Sequence, residues 1–437
     1  MTVPVALAPP VTSAPPRPPN TRQVLVGAVR SVFAGTPGRL RSYGAITVTA
    51  CLVFGVSAFV AATTRADALS NARSDAAQLV RIQAIRTNLV SADASLTNAF
   101  LIGGLEPAAE RSTYESGIAT ASRTLAEASG AKSADAAALA IVTDVVTTYT
   151  GLVESARADN RQGFPIGAAY LRQATNLLRS DALPTLENVG TTEQKRVDDA
   201  YSASASAVYW LVVGLLLAVA ALAVAQVGLA RRTRRVFNLP LLTATGVVVV
   251  MGIVLVAIMT WSQSKARTTR SGAYFATVEL ATARIDAFDA KSAESLTLIS
   301  RGSGQAYQAR YAVLSADAKA ILSDAAARGG SAEGAVQTDF AAYDKVHTTI
   351  RAKDDGGNWQ GAVDLATGTG SADANALFAA FDKSSAGALG QRSKQLRDDL
   401  GSARAPLVAL GWIALVAGVA AAGSSLRGIS NRLREYR

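Results

Sequence analysis

The sequence predicts an all-α membrane protein, with four transmembrane helices and two extracytoplasmic four-helix bundles arranged as a tandem repeat. Three observations predict it. Of the 437 residues, 49% are hydrophobic, and they gather in four charge-free stretches long enough for a bilayer core, which needs about 20 apolar residues. Basic residues cluster beside those stretches. The two long regions between them carry apolar residues at helical spacing.

The charge-free stretches place spans at residues 42–64, 207–230, 239–261 and 406–426. Five arginines and no acid precede the first span. The link 231–238 holds Arg231, Arg232, Arg234 and Arg235, and the tail 427–437 has four arginines against Glu435, for +12 in all. Residues 66–205 sum to −4 and residues 262–404 to +1. Basic flanks stay in the cytoplasm. Both termini and the link are therefore expected inside the plasma (inner) membrane, with regions 65–206 and 262–405 outside. The net charge of +10 is then a membrane feature that orients helices and meets anionic lipid, and no nucleic-acid partner is expected. The lone Cys51 lies in the first span, so the outer regions must hold together by packing. The approach to that span, 1–41, is long and Pro-rich. It reads as a disordered cytoplasmic tail before a retained anchor, not a cleaved signal peptide.

In the first outer region a seam runs through Leu79, Ile82, Leu89, Leu96 and Phe100, broken by Gly103-Gly104 and Pro107. A second helix follows to Gly130. The third has the strictest seam, Leu139, Val142, Val146, Tyr149, Val153 and Ala156. After the turn Asp159–Pro165 a fourth helix runs into the second span, with a kink expected at Pro184. The second region repeats this plan in order: Tyr114 pairs with Tyr311, Leu125 with Leu322, Tyr149 with Tyr343, and Arg157 with Arg351.

Chemistry is sparse. The single histidine, His347, falls on an apolar seam and reads first as a packed, hydrogen-bonded residue and second as a pH switch. No nucleotide loop or nucleophile elbow occurs, and the acids read as exposed surface charge. No enzyme, metal site or cofactor is expected. The spans hold no ionisable residue and nothing more polar inside than Gln226, unlike a transporter or channel. Ala414, Gly418 and Ala422 form a small-residue ridge for helix packing, and Tyr209, Trp210 and Trp261 sit where aromatic belts belong.

Bundles continuing into spans suit the passage of small helix movements through a bilayer. The cytoplasmic pieces are too short to be an output domain, so a separate protein must read the signal. Asn98-Ala99-Phe100-Leu101 before a glycine turn, with Arg111 and Tyr114 after it, resembles the four-helix-bundle sensor domains of bacterial chemoreceptors. The second region keeps Arg310 and Tyr311 but lacks Asn-Ala-Phe. The whole layout resembles the GlnX-type tandem-sensor membrane proteins of actinobacteria. That resemblance implies an extracytoplasmic amino-acid-binding lipoprotein (GlnH) as input and a cytoplasmic serine/threonine kinase, protein kinase G, as output. It carries over no individual residue.

Candidate sites follow from topology. Turns one and three lie at the far tip of an up-down bundle, which nominates Gly103, Gly104 and Phe164 in the first region and Arg301 and Trp359 in the second as partner-binding positions. Arg231, Arg232, Arg234 and Arg235 are the candidate output surface. A direct small-molecule chemoreceptor is the alternative, with Arg81 and Arg86 as anion clamps; a structural envelope scaffold is another. The sequence leaves a homodimer open.

Overall fold

The computed structural model describes residues 35–163, 165–233 and 238–434, and every regular element among them is helical. In chain order they are α1 Gly35–Ile102, α2 Ala108–Ala131, α3 Ala136–Arg161, α4 Ile166–Leu177, a π turn Leu178–Ala182, and α5 Leu183–Thr233. Then come α6 Leu239–Thr269, a second π turn Arg270–Tyr274, α7 Phe275–Ile299, α8 Gln305–Gly329, α9 Ser331–Asp355, the short α10 Trp359–Thr367, and α11 Ala374–Arg434. The tail 1–34 and Phe164, Arg234 and Arg235 lie outside the described residues, and the Arg232 side chain is likewise not described.

Two departures from the expected helices have local causes. Pro184 has no N–H and crowds the carbonyl four residues back, at Ser180. That carbonyl falls inside the π turn Leu178–Ala182, which takes up the disruption without ending the helical run. In the second region the fourth helix breaks at Gly368–Asp373, where two glycines weaken the helix. The Asp373 carboxylate instead accepts from the Gly370 N–H at 2.8 Å.

Five helices are long and apolar enough to cross a membrane, so the chain has the make-up of a multi-pass membrane protein. Four carry the predicted spans. The fifth is α3, which buries Leu139, Val142, Val146, Tyr149 and Val153 along one face and exposes Asp144 and Glu154. Its apolar residues fill a helical core.

The chain forms two compact units. One holds the described residues up to Val60, with Trp210–Leu255 and Trp412 onward. Here the small-residue ridge packs within the chain. A Cβ on Gly418 would lie 2.7 Å from the Gly55 Cα, and Ala414 and Ala422 are buried. Short polar side chains hydrogen-bond between helices: Ser425 donates to Thr47 at 2.6 Å, and Gln226 to Thr245 at 2.8 Å. Val53, Val56, Leu216, Leu217, Val250, Ile253, Val416 and Val419 point outward. Such an apolar exterior suits lipid contact and is a liability in water.

The other unit, Ala61–Tyr209 with Val256–Gly411, contains both long regions around one continuous core. That core runs from Ile82, Leu89 and Leu96 through Tyr149 and Leu171 to Leu296, Phe340 and Phe381. Helix α7 is buried on nearly all sides, which its run of Ala, Ser and Thr permits by keeping the helix thin. The two regions also repeat particular contacts. Tyr114–Tyr149 and Tyr311–Tyr343 both have ring centroids 6.4 Å apart. Arg196 pairs with Asp135 at 3.0 Å, and Arg392 with Glu333 at 2.6 Å.

Candidate functional site

Two features of this larger unit concentrate its chemistry: a cleft in the second region and a buried polar seam between the regions.

The cleft, about 910 Å³, is lined by turn-one residues Arg301, Gly302 and Gly304, by Gln305 and Gln308 of α8, by Arg351, Asp354 and Asp355 at the end of α9, and by Trp359. Turns one and three thus meet, as an up-down helix order requires. Arg301 has φ +40°, the one non-glycine residue among those described in the left-handed region, followed by Gly302 at +85°. Its guanidinium lies 4.1 Å over the Trp359 ring. Arg351 turns back on its own helix end, pairing with Asp354 at 2.7 Å and with Asp355. The buried Gln308 Oε1 has no partner.

Trp359 is not the free aromatic that its tip position predicts. Its Nε1–H donates to the Leu298 carbonyl at 2.9 Å and its ring packs on the core, so it caps its own helices. The tip of the first region, by contrast, is closed. Gly103 and Gly104 make an exposed left-handed turn, φ +73° and +67°. Next to it Glu106 pairs with the buried Arg157 at 2.8 Å, and Arg157 lies 4.4 Å over Tyr114. Arg157 and Arg351 are counterparts with different engagements, one tying two turns together, the other leaving them apart around a cleft.

The seam centres on Asp93 of α1, 2% exposed. It accepts from Thr175 at 2.7 Å, from Tyr149 at 3.3 Å, and across the regions from Ser292 at 2.8 Å. Burial raises its carboxyl above the ordinary range, against the pull of Arg179. From the first π turn, Arg179 reaches Asp289 at 2.6 Å and Ser292 at 3.1 Å; Asp289 also binds Arg310. Nearby, burial lifts Asp286 to about 7 even though Arg86 opposes the shift. A second buried set lies in the second region. His347 Nδ1 is 2.7 Å from Glu294, Lys291 donates to Glu294 at 2.8 Å, and the imidazole stacks on Tyr311 with centroids 3.4 Å apart. Burial alone would push Glu294 up, but Lys291 and His347 outweigh it and hold this carboxylate at about 2.

These contacts correct the expectation that the acids are surface charge, since Asp93, Asp289, Glu193, Glu294 and Glu333 are all buried. Asp93 was legible: it stands four residues after Leu89 and three before Leu96, on the seam itself. Arg86 is no open clamp, because it pairs with Glu187 at 3.4 Å and is mostly buried; Arg81 donates to Gln78 at 3.3 Å. Of the arginine link, Arg231 is exposed at the end of α5.

Among the described residues every regular element is helical, and five helices are apolar enough to cross a membrane. Residues 68–202 match the family model of an actinobacterial sensor domain, which supports an actinobacterial sensor protein. The matched stretch is the first long region, from α1 into α5. No curated protein and no solved structure matches the chain.

Proposed function

We propose that this protein is a non-enzymatic transmembrane signal transducer of the GlnX type, with four spans, both termini and the Arg231–Arg235 link in the cytoplasm, and two tandem four-helix bundles outside. The observation that carries this reading is helix continuity. Each of the helical runs bearing a predicted span (Leu40–Ile102, α5, Leu239–Ile299 and α11) also supplies residues to the shared core of the larger unit. A helix that belongs to both settings transmits a shift or rotation from one to the other. The sensor-domain match supports sensing as the task, and the paired Tyr–Tyr and Arg–carboxylate contacts support duplication.

In this reading an amino-acid signal arrives on a solute-binding lipoprotein, and a separate cytoplasmic serine/threonine kinase reads the inner surface. The Arg231–Arg235 segment lies beside anionic lipid and kinase together. Direct ligand binding is the second reading, and the open cleft at Arg301 and Trp359 favours it. The test measures phosphorylation of the kinase's substrates in cells given external amino acids. Replacing the four link arginines by glutamine, with topology verified by reporters after Gly130 and Thr233, is expected to blunt the response. A response unchanged both by that variant and by deletion of the chain overturns the transducer reading.

A further inference from the structure

The geometry points to the cleft beside Trp359 as a binding site for a short peptide with free termini, its carboxylate on Arg301 and its ammonium on the Asp354–Asp355 end of α9.

Four observations carry this, and it rests on the sensor reading above. The first is size. About 910 Å³ lies toward the upper end of the range of small-ligand clefts, and Ala309 and Ala312, small residues three apart on α8, line it and leave room for a short chain along that helix. The second is charge. The Arg301 side chain has no ion pair among the described residues and lies over the Trp359 ring. Among the residues lining the other wall, one arginine, Arg351, serves two carboxylates, so that lining is net acidic. A dipolar ligand satisfies both walls at once, and a simple anion or cation satisfies one. The third is the orphaned Gln308 Oε1. A buried acceptor without a donor is costly, and a peptide N–H lying between the two charged ends supplies one. The fourth is strain. Arg301 holds a backbone conformation that glycine adopts freely and arginine does not, and its first-region counterpart is Gly104. The chain keeps an arginine where folding alone favours glycine. In that first region the equivalent space is closed by Glu106 and Arg157, so one ligand per chain is expected.

The experiment uses the full chain in lipid nanodiscs. It is incubated with a tetrapeptide library bearing free termini, and bound peptides are read by native mass spectrometry. Parallel arms use the same library N-acetylated or C-amidated, and free alanine and glutamate. Free-termini peptides are expected to bind, with retention falling about tenfold or more when either end is capped, the usual effect of removing one charge-assisted hydrogen bond. Arg301→Gly is expected to erase the carboxylate dependence and Asp355→Asn to weaken the ammonium dependence, while Arg301→Gly melts no lower than the parent. Equal retention of capped and free libraries, equal binding of free amino acids, or binding untouched by both variants overturns the assignment. Absence of any bound peptide does the same. None of these outcomes touches the phosphorylation response in cells, so failure of the ligand assignment is distinguishable from failure of the sensor reading.

Discussion

At the scale of single residues, the buried acids set the protein's response to pH, and they do so with opposite signs. Asp286 sits at about 7 against an ordinary 3.8 because burial disfavours its charged form. The folded state therefore holds this proton more tightly than the unfolded chain. Its contribution to stability declines as pH rises from about 4 to about 7. Glu294 sits at about 2 against 4.5, so its contribution is complete above 4.5 and is lost as pH falls toward 2. Chemical denaturation between pH 4 and 7 is expected to show a declining component that Asp286→Asn removes; an unchanged slope in that variant would place the proton elsewhere. Trp359→Ala removes ring packing and the bond to the Leu298 carbonyl, and is expected to lower stability by about 2–4 kcal/mol. A melting temperature unmoved by that substitution would return Trp359 to the role of a free docking aromatic.

At the scale of helices, close approach decides more than propensity. The seam of α3 is buried along its length, so Val146→Asp places an unpaired carboxylate in the core at a cost of about 3–5 kcal/mol. A circular-dichroism melt of the full chain in detergent checks this directly. Gly418 faces backbone: an added Cβ would meet the Gly55 Cα at 2.7 Å and the Cys51 carbonyl at 3.0 Å. Backbone cannot rotate away as a side chain can. Gly418→Val is expected to separate α1 from α11 and to cost about 1–3 kcal/mol in detergent unfolding; full tolerance would mean these helices do not pack there. The four-residue spacing of Ala414, Gly418 and Ala422 was visible in the sequence, whereas its partner, Gly55 of the first span, was not. Pairing between spans depends on which faces meet, and an apolar helix offers several.

At the scale of the whole molecule, the main finding is that the two long regions share one core and a polar seam. The sequence reading has two four-helix bundles in tandem. Asp93 and Ser292, 2.8 Å apart and from different regions, provide the test. A double-mutant cycle with Asp93→Ala and Ser292→Ala in the full chain is expected to return a coupling of about 0.5–3 kcal/mol, because both groups are buried and in direct hydrogen-bond contact. Additive effects would show that the regions do not meet at this point. A polar seam with hydrogen bonds across the regions suits a sensor: its bonds specify one register between the regions and resist sliding until something displaces them.

Much of this protein is set by its sequence alone. Charge-free stretches, helix-period seams, glycine turns and the position of Pro184 act locally, through hydrophobicity and backbone geometry, and each was readable from a few neighbouring residues. The helical class, the order of helices, the apolar helices and the meeting of turns one and three followed from them. The tertiary structure alone decided which acids are buried, because Asp93, Asp289 and Glu294 find their partners on other helices, up to 199 positions away in the case of Asp93 and Ser292. It alone decided that Arg157 closes one tip while Arg351 leaves the other open. Arg351 takes the acids three and four positions on in its own helix, Asp354 and Asp355, whereas Arg157 reaches Glu106, 51 positions away, a choice that depends on distances in space.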